Sequence, residues 1–460
     1  ILTIPREEEP QISVPMVDLE LAIPGMMATD AVEHVAKPLE EILLATPGVE
    51  HVYVNARDHG VLVTARFEVG SRPEDAAIRV AERLEANADR APPGVPWPKV
   101  TVRGIDDVPV LVLTLSPEPA YADRWSDREL HTLAQRLRSE MLKVPDVGLT
   151  FLVGGRAEAI RIVPDPARLA AHGVPLSALM EGVSQAARQF PAGTVRGAGA
   201  AEMVVAGGRI VSAADLERLE LRSVSGAPVL LSDVARVEQG AADGQARSWR
   251  MTREADGAFA LAPAVSVAIA KRSGANAVSV SEAAVTRLES LRGSLVPHGL
   301  RVEVTRNYGE TANEKANELI FHLALATVSI VLLVGFAVGW REAAVTAVVI
   351  PTTILLTMFA SNLMGYTINR VSLFALIFSI GILVDDAIVI IENIARHWAM
   401  DDGRSKVEAA IDGVAEVGNP TIVATLTVVA ALLPMLFVSG LMGPYMAPIP
   451  VNASAAMIFS

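Results

Sequence analysis

The stretch Gly381-Ile382-Leu383-Val384-Asp385-Asp386-Ala387-Ile388-Val389-Ile390-Ile391-Glu392-Asn393 sets two adjacent carboxylates inside an apolar run. The run that holds them, residues 371–391, is long enough to cross a bilayer as a helix. An ionised Asp near the bilayer centre costs about 2.5–3.5 kcal/mol on insertion scales. Apolar surroundings and an adjacent like charge both disfavour an ionised carboxylate, and adjacent carboxyls titrate as one coupled unit. A carboxyl that changes charge inside a membrane meets the physical requirement for a proton relay. The plainer alternative is an Asp pair bonded to neighbouring Ser, Thr or a cation, or lying in a water-filled crevice. Glu392 and Asn393 follow two turns later and read as helix-end residues that support the pair.

Working outward, further spans are expected at residues 319–338, 343–363 and 421–438, with the start of another at 451. Pro351 and Pro434 fall inside two of them, which membrane helices tolerate. Residues 339–342 read as a tight turn and 365–370 as a short polar one. Residues 394–419 read as a longer polar connector with a surface helix near 406–414, and 440–450 as a turn. The first and third connectors hold Arg341, Arg396, Arg404 and Lys406, whereas the second and fourth hold only Arg370. By the positive-inside rule the first and third are cytoplasmic, so residues 1–311 lie on the opposite side.

Charge is divided in the same way. Of 39 Lys and Arg, 34 lie in residues 1–315; of 52 Asp and Glu, 42 do. The mean hydropathy of +0.38 exceeds that of an ordinary soluble enzyme. A pI near 5.2 argues against nucleic acid as a partner. The absence of Cys excludes disulfide scaffolds, thiolate metal sites and Cys nucleophiles. Ile1 is not an initiator Met, and the apolar run 451–460 is too short to span, so a preceding helix and a following part are expected.

The first 311 residues read as α+β. Arg6-Glu7-Glu8-Glu9-Pro10 belongs to a linker over residues 1–11 just outside the membrane. A strand at 12–23 precedes a helix carrying Val32, Val35, Ala36, Leu39, Ile42 and Leu43, bent by Pro38. Strands at 49–54 and 61–67 follow. The next helix carries Ala77, Val80, Ala81 and Leu84 behind a capping box Ser71-x-x-Glu74. With a strand near 100–102 the order is βαββαβ, a ferredoxin-like unit over 12–107. A second unit begins at 108, with a capping box Ser126-x-x-Glu129, a helix bearing Leu130, Leu133, Ala134, Leu137 and Met141, and a strand at 147–153. Its matching half is expected at 259–304, within 242–308, which makes 156–241 an insertion. That insertion is Gly-rich with short strands at 159–163, 201–205 and 229–237. Gln189 to Gly208, with Pro191, Gly193, Gly197 and Gly199, reads as a long exposed hairpin or a loop without regular structure.

No residue set in this part reads as catalytic, and neither a cofactor nor a metal is expected. His51 and His59 sit around a turn and read as surface residues rather than metal ligands. Met26-Met27 reads as a helix start packed on a sheet. Gly154-Gly155 lacks the further Gly and helix of a phosphate loop and reads as a turn.

The Gly-x-Leu-Val-Asp-Asp-Ala-Ile-Val-x-x-Glu-Asn stretch resembles the fourth transmembrane helix of resistance–nodulation–division efflux pumps. The doubled Asp is similar to the hydrophobe/amphiphile (acriflavine-resistance) branch, whereas the heavy-metal branch usually has Asp-Ala there. Pro24-Gly25, Lys37-Pro38-Leu39-Glu40-Glu41, Pro47-Gly48-Val49, Leu231-Ser232-Asp233-Val234-Ala235 and Gly274-Ala275-Asn276-Ala277 also resemble this family, so the likeness covers the whole chain.

That resemblance implies porter subdomains at 12–107 and at 108–155 plus 242–308, with the insertion 156–241 as a docking subdomain. The arm 189–208 would reach into a neighbouring subunit of a homotrimer. The spans would be helices two to six of twelve, with residues 312–460 forming the membrane part. The implied protein is a multi-pass inner-membrane proton/substrate antiporter with a large periplasmic portion. It would export small molecules together with a periplasmic adaptor and an outer-membrane channel. Asp385 and Asp386 would be its proton relay, completed by a Lys that none of the present spans contains. Few Phe lie in residues 1–310: Phe67, Phe151, Phe190 and Phe259. The rival readings are a heavy-metal cation exporter, a protein-export accessory subunit, and a membrane-anchored scaffold that would have no use for the Asp pair.

Overall fold

The computed structural model describes residues 4–460 apart from 11, 13, 105–106, 198–199, 208–209, 223–227, 243–246, 254–256, 401–402 and 441; no side chain is described at 190, 191, 197, 200, 204, 206, 222, 319 and 383–385. The chain is a mixed helix-and-strand protein with long apolar helices at its C-terminal end.

The first unit runs β1 (Met16–Ala22), α1 (Ala28–Ala31), a wider π turn (Val32–Ala36), α2 (Lys37–Leu44), β2 (Val49–Arg57), β3 (Gly60–Phe67), α3 (Pro73–Ala86) and β4 (Lys99–Arg103). Its antiparallel sheet has the order β2-β3-β1-β4. Alternation sends Val17, Leu19, Val63 and Phe67 into one core with Val35, Leu43, Val80 and Leu84 of the helices. Two local expectations need correction. Pro38 enters in the first turn of α2, and the turn before it is a π turn. Proline cannot donate to the carbonyl four residues back, and a wider turn accommodates it there. The N-cap of α3 is Arg72, not Ser71, because Pro73 occupies the first helical position with its φ already set.

The second unit opens with β5 (Pro109–Pro117), α4 (Asp127–Met141) and β6 (Val147–Val153). Here the expected capping box is present: Glu129 N donates to Ser126 Oγ, and Ser126 N donates to Glu129 Oε2 at 2.9 Å. These bonds hold the Glu129 carboxyl below its usual range, the backbone bond contributing most.

The chain then enters β7 (Glu158–Pro164), α5 (Pro166–Ala171), α6 (Leu176–Ala186), β8 (Phe190–Gly197), β9 (Ala200–Ala206), α7 (Ala213–Glu217), β10 (Glu220–Arg222), β11 (Pro228–Leu230), α8 (Leu231–Val234) and β12 (Ala235–Ala241). β12 pairs with β7, which closes this segment on itself. Its own core gathers Leu169, Leu179, Leu216, Leu221, Leu231 and Val234. The expected single strand at 229–237 is broken by α8, where Asp233 Oδ2 accepts from Leu230 N at 3.0 Å. The helices α5 and α6 add to the short strands expected in this segment.

The second unit resumes with β13 (Ser248–Arg253), β14 (Phe259–Lys271), α9 (Ala277–Leu291) and β15 (Leu300–Asn307). The sheet order is β13-β14-β5-β15, with β6 also on β14. β14 is long enough to take β13 beside its first half and β6 beside its second, on one edge. Gly154 and Gly155 end β6 at that handover, with φ of 81° and 72°. A Cβ on Gly154 would come within 2.4 Å of Ser248 Oγ. The turn therefore requires glycine both for its dihedrals and for space. Leu111, Leu113, Leu130, Leu137, Val267 and Leu288 fill the core below.

The apolar part comprises α10 (Tyr308–Ala337), α11 (Trp340–Leu363), α12 (Arg370–Trp398), α13 (Lys406–Leu432), α14 (Met442–Met446) and α15 (Pro448–Phe459). Four of these helices are long and apolar enough to cross a membrane: α10, α11, α12, and α13 with the 3₁₀ turn Leu433–Phe437 that continues it. α12 touches α10, α11, α13 and α15. Ile350, Ile354, Leu373, Leu376, Ile380 and Ala456 form the shared core. Outward faces carry Phe321, Leu332, Phe336 and Phe437, all exposed as lipid-facing side chains are. The expected connectors are shorter than the sequence reading. α12 continues to Trp398 and α13 starts at Lys406, so the polar link is only 399–405 rather than 394–419. Helix α11 begins at Trp340, inside the expected turn 339–342, and the last helix begins at Pro448 rather than at 451. Polar residues do not end these helices, because hydrogen-bonded side chains between α12 and α13 let them continue.

Candidate functional site

The site is built on α12. Asn369 caps it: its Oδ1 accepts from Val371 N and Ser372 N at 3.0 and 2.9 Å, and its own N donates to Ser372 Oγ at 2.9 Å. Seventeen residues on, Asp386 lies about 25 Å along the axis, deep in the helix. The side chain of Asp385 lies outside the described residues.

Asp386 is half-buried and faces α13. Thr425 Oγ1 lies 3.1 Å from Asp386 Oδ2 and 3.0 Å from the carbonyl oxygen of Thr421. The hydroxyl has one proton and two acceptors within reach. The sequence offers no cation at this level. No Lys or Arg occurs between Lys315 and Arg341, between Arg341 and Arg370, between Arg370 and Arg396, or after Lys406.

Glu392 and Asn393 are not at a helix end. Asn393 is buried about a turn and a half before the end of α12 at Trp398. Its Nδ2 donates to Gly413 O at 2.7 Å and to Glu416 Oε2 at 3.4 Å, and its Oδ1 accepts from Arg396 Nε at 2.9 Å. Arg396 and His397 both meet Glu416, at 2.5 and 2.8 Å. Gly413 allows this approach, since a Cβ there would sit 3.3 Å from Ile394 Cα. Asn393 thus belongs to a clamp between α12 and α13, whereas Glu392 is exposed. The clamp and Thr425 were both missed from sequence. The only signal was the row Gly413, Glu416 and Pro420, continued by Thr421 and Thr425, with steps of three or four residues within each group.

The residues 189–208 include a hairpin. Among the described residues β8 pairs only with β9, from Phe190↔Ala206 to Gly197↔Ala200, with an irregularity between Pro191 and Gly193. Gly193 has φ 127°. Gln189, just before β8, is exposed, as are Val195 and Met203; Gly199 lies outside the described residues. Elsewhere, His51 and His59 stay apart, and His59 Nδ1 accepts from Gly25 N at 2.9 Å. Among the described residues no group of three or more His, Asp or Glu side chains is arranged to hold a metal ion.

The sequence profile of the AcrB/AcrD/AcrF family matches residues 1–460. The chain belongs to this family. Within the AcrB/AcrD/AcrF family it is similar to the multidrug resistance protein MdtC of Pantoea ananatis, 28% identical over 460 residues. It is also similar to MdtC of Edwardsiella ictaluri, 29% identical over 460 residues, and of Yersinia pseudotuberculosis, 28% over 457. Each alignment takes in 99% of this chain and 43% of its relative, so the chain spans less than half the length of these relatives.

Proposed function

We propose that this chain forms part of an inner-membrane efflux transporter that exchanges protons for small molecules taken from the periplasm or the membrane. One observation carries the reading: Asp386 sits deep in an apolar helix with a hydroxyl partner and no cation on the surrounding spans. A fixed charge so placed costs several kcal/mol without a partner. A carboxyl that is loaded with a proton and then emptied turns that cost into a working difference between two states. Asp385 and Asp386 are the relay, and a counter-charge comes from outside the present spans. One proton moving through about 100 mV supplies about 2.3 kcal/mol. The name multidrug resistance protein on the relatives favours small organic substrates over the heavy-metal and protein-export readings.

The strand order β2-β3-β1-β4 with α1–α3 on one face supports reading 12–107 as a ferredoxin-like porter subdomain. The second sheet, with 108–155 and 242–308, is read as its partner. The self-closed segment 156–241 is read as a docking subdomain toward a periplasmic adaptor and outer-membrane channel. Its hairpin is the arm toward a neighbouring subunit of a homotrimer.

Antiport is tested directly in proteoliposomes that hold a pH gradient. Adding a transported compound should speed collapse of the gradient in the wild type and not in Asp386→Asn. Equal collapse rates with and without compound would remove the antiport reading.

A further inference from the structure

We propose that Thr425 is a positioning residue that reads the charge of Asp386 and passes it to α13 as a bend at Pro420. The inference rests on the relay reading above, and adds to it a residue and a moving element.

Two anchors tie α13 to α12, with a weak point between them. The first is the clamp in which Asn393 holds Gly413 O and Glu416, and Arg396 and His397 hold Glu416. The second is Thr425 on Asp386. Pro420 stands between the anchors, inside the helix. It has no N–H to give the Glu416 carbonyl, and its ring crowds that carbonyl, so the helix bends most easily there.

The hydroxyl of Thr425 has two settings. When Asp386 is ionised, the carboxylate can only accept, and Thr425 donates to Oδ2 at the cost of its bond to Thr421 O. When Asp386 has taken a proton from the aqueous side, its O–H donates to Thr425 Oγ1, and the Thr425 proton turns back to Thr421 O. Thr425 keeps its proton in both settings; only its torsion changes. A threonine bonded to the carbonyl four residues back bends a helix, and releasing that bond relaxes it. With the segment before Pro420 fixed by the clamp, the change appears in the segment after it.

Few other titratable residues occur near this level in the sequences of the packed helices. On α12 the adjacent residue is Asp385. α15 has no titratable side chain, and α13 has none after Glu416. α11 has none between Glu342 and Leu363, and the apolar part of α10 has only His322, which is exposed and 3.9 Å from Glu318.

These 460 residues contain no Cys, so a label placed in them meets no competing thiol within the chain. Spin labels at Ile411→Cys and Leu426→Cys, both exposed, flank Pro420 at a helical separation of about 22 Å. In the assembled transporter in lipid, the label distance should differ between acid and neutral pH in the wild type and in Thr425→Ser. It should be constant in Thr425→Val, in Thr425→Ala and in Asp386→Asn. A wild-type-like pH response in Thr425→Val or Thr425→Ala overturns the proposal, as does a wild-type distance that ignores pH. The distance is read without transport. A failure of the relay reading, seen as unimpaired export by Asp386→Asn, is therefore scored separately.

Discussion

At the scale of the residue, the buried pair Glu7–Lys271 joins the linker to the second sheet. Both side chains are under a tenth exposed, and Lys271 Nζ lies 2.7 Å from Glu7 Oε1. The pair is close enough for strong attraction, but neither atom is aligned for a hydrogen bond, so the contact is coulombic. Glu7 Oε2 also accepts from Thr367 Oγ1 at 3.1 Å, and Glu7 N donates to Ile368 O at 2.9 Å. One carboxyl thus bridges the loop before α12 and the end of β14. Removing one member leaves a buried charge unpaired, which costs about 3–5 kcal/mol. Lys271→Met should therefore lower thermal stability sharply, and the double change Lys271→Met with Glu7→Met should recover most of it. A single variant as stable as the wild type in detergent would show that Glu7 finds another partner.

At the scale of the element, Glu140 on α4 receives Lys143, two residues past the end of that helix, at 2.6 Å and Arg287 from α9. These bonds, Lys143 first, hold its carboxyl below the usual value near 4.5. A lowered folded value means the stabilisation is present above the unfolded value and is lost as pH falls through the folded one. Acidification below the usual carboxyl value should loosen α4 from α9, and Glu140→Gln should flatten that part of the stability profile. An unchanged acid limb would mean the two cations carry no net weight. This helix was readable in advance. Ser126 and Glu129 announced its start, and Leu130, Ala134, Leu137 and Met141 announced its buried face. The apolar spans were readable for the same reason, since length and hydropathy are local properties. The far end of α12 was not. Its last turns are polar, and only Asn393, Gly413 and Glu416, distant in sequence, show why they stay helical. Of the candidate site, the Asp pair stood out as charge in an apolar run. Thr425 carried no such mark, because a threonine in a membrane helix ordinarily bonds its own backbone, as Thr353 and Thr357 do.

At the scale of the whole molecule, α10 is one helix from the edge of the second sheet into the apolar part, beginning at Tyr308 directly after β15. Arg6 of the linker reaches Asn313 on this helix at 2.6 Å, and its carbonyl accepts from Ala277 N at the start of α9. Movement among the apolar helices therefore has one covalent route to the second sheet, through α10, and a non-covalent one through the linker contacts of Arg6 and Glu7. The hairpin β8–β9 stands outside the other sheets, with Val195, Met203 and Val205 exposed. An isolated two-stranded ribbon is marginal in water and gains stability by being covered. Deleting residues 189–208 should weaken assembly between subunits, read as a smaller particle in detergent, while the rest still folds. A deletion variant that remains fully trimeric would remove the hairpin from assembly.

The measurement closest to the central claim is export from vesicles under an imposed pH gradient by Asp385→Asn, Asp386→Asn and the double variant, with membrane insertion and assembly checked alongside. Asn keeps the size and hydrogen-bonding of Asp but cannot ionise. Each variant should insert and assemble normally and lose proton-driven export. Wild-type-like export by one variant would remove that Asp from the relay, and wild-type-like export by the double variant would contradict the proton-coupled mechanism.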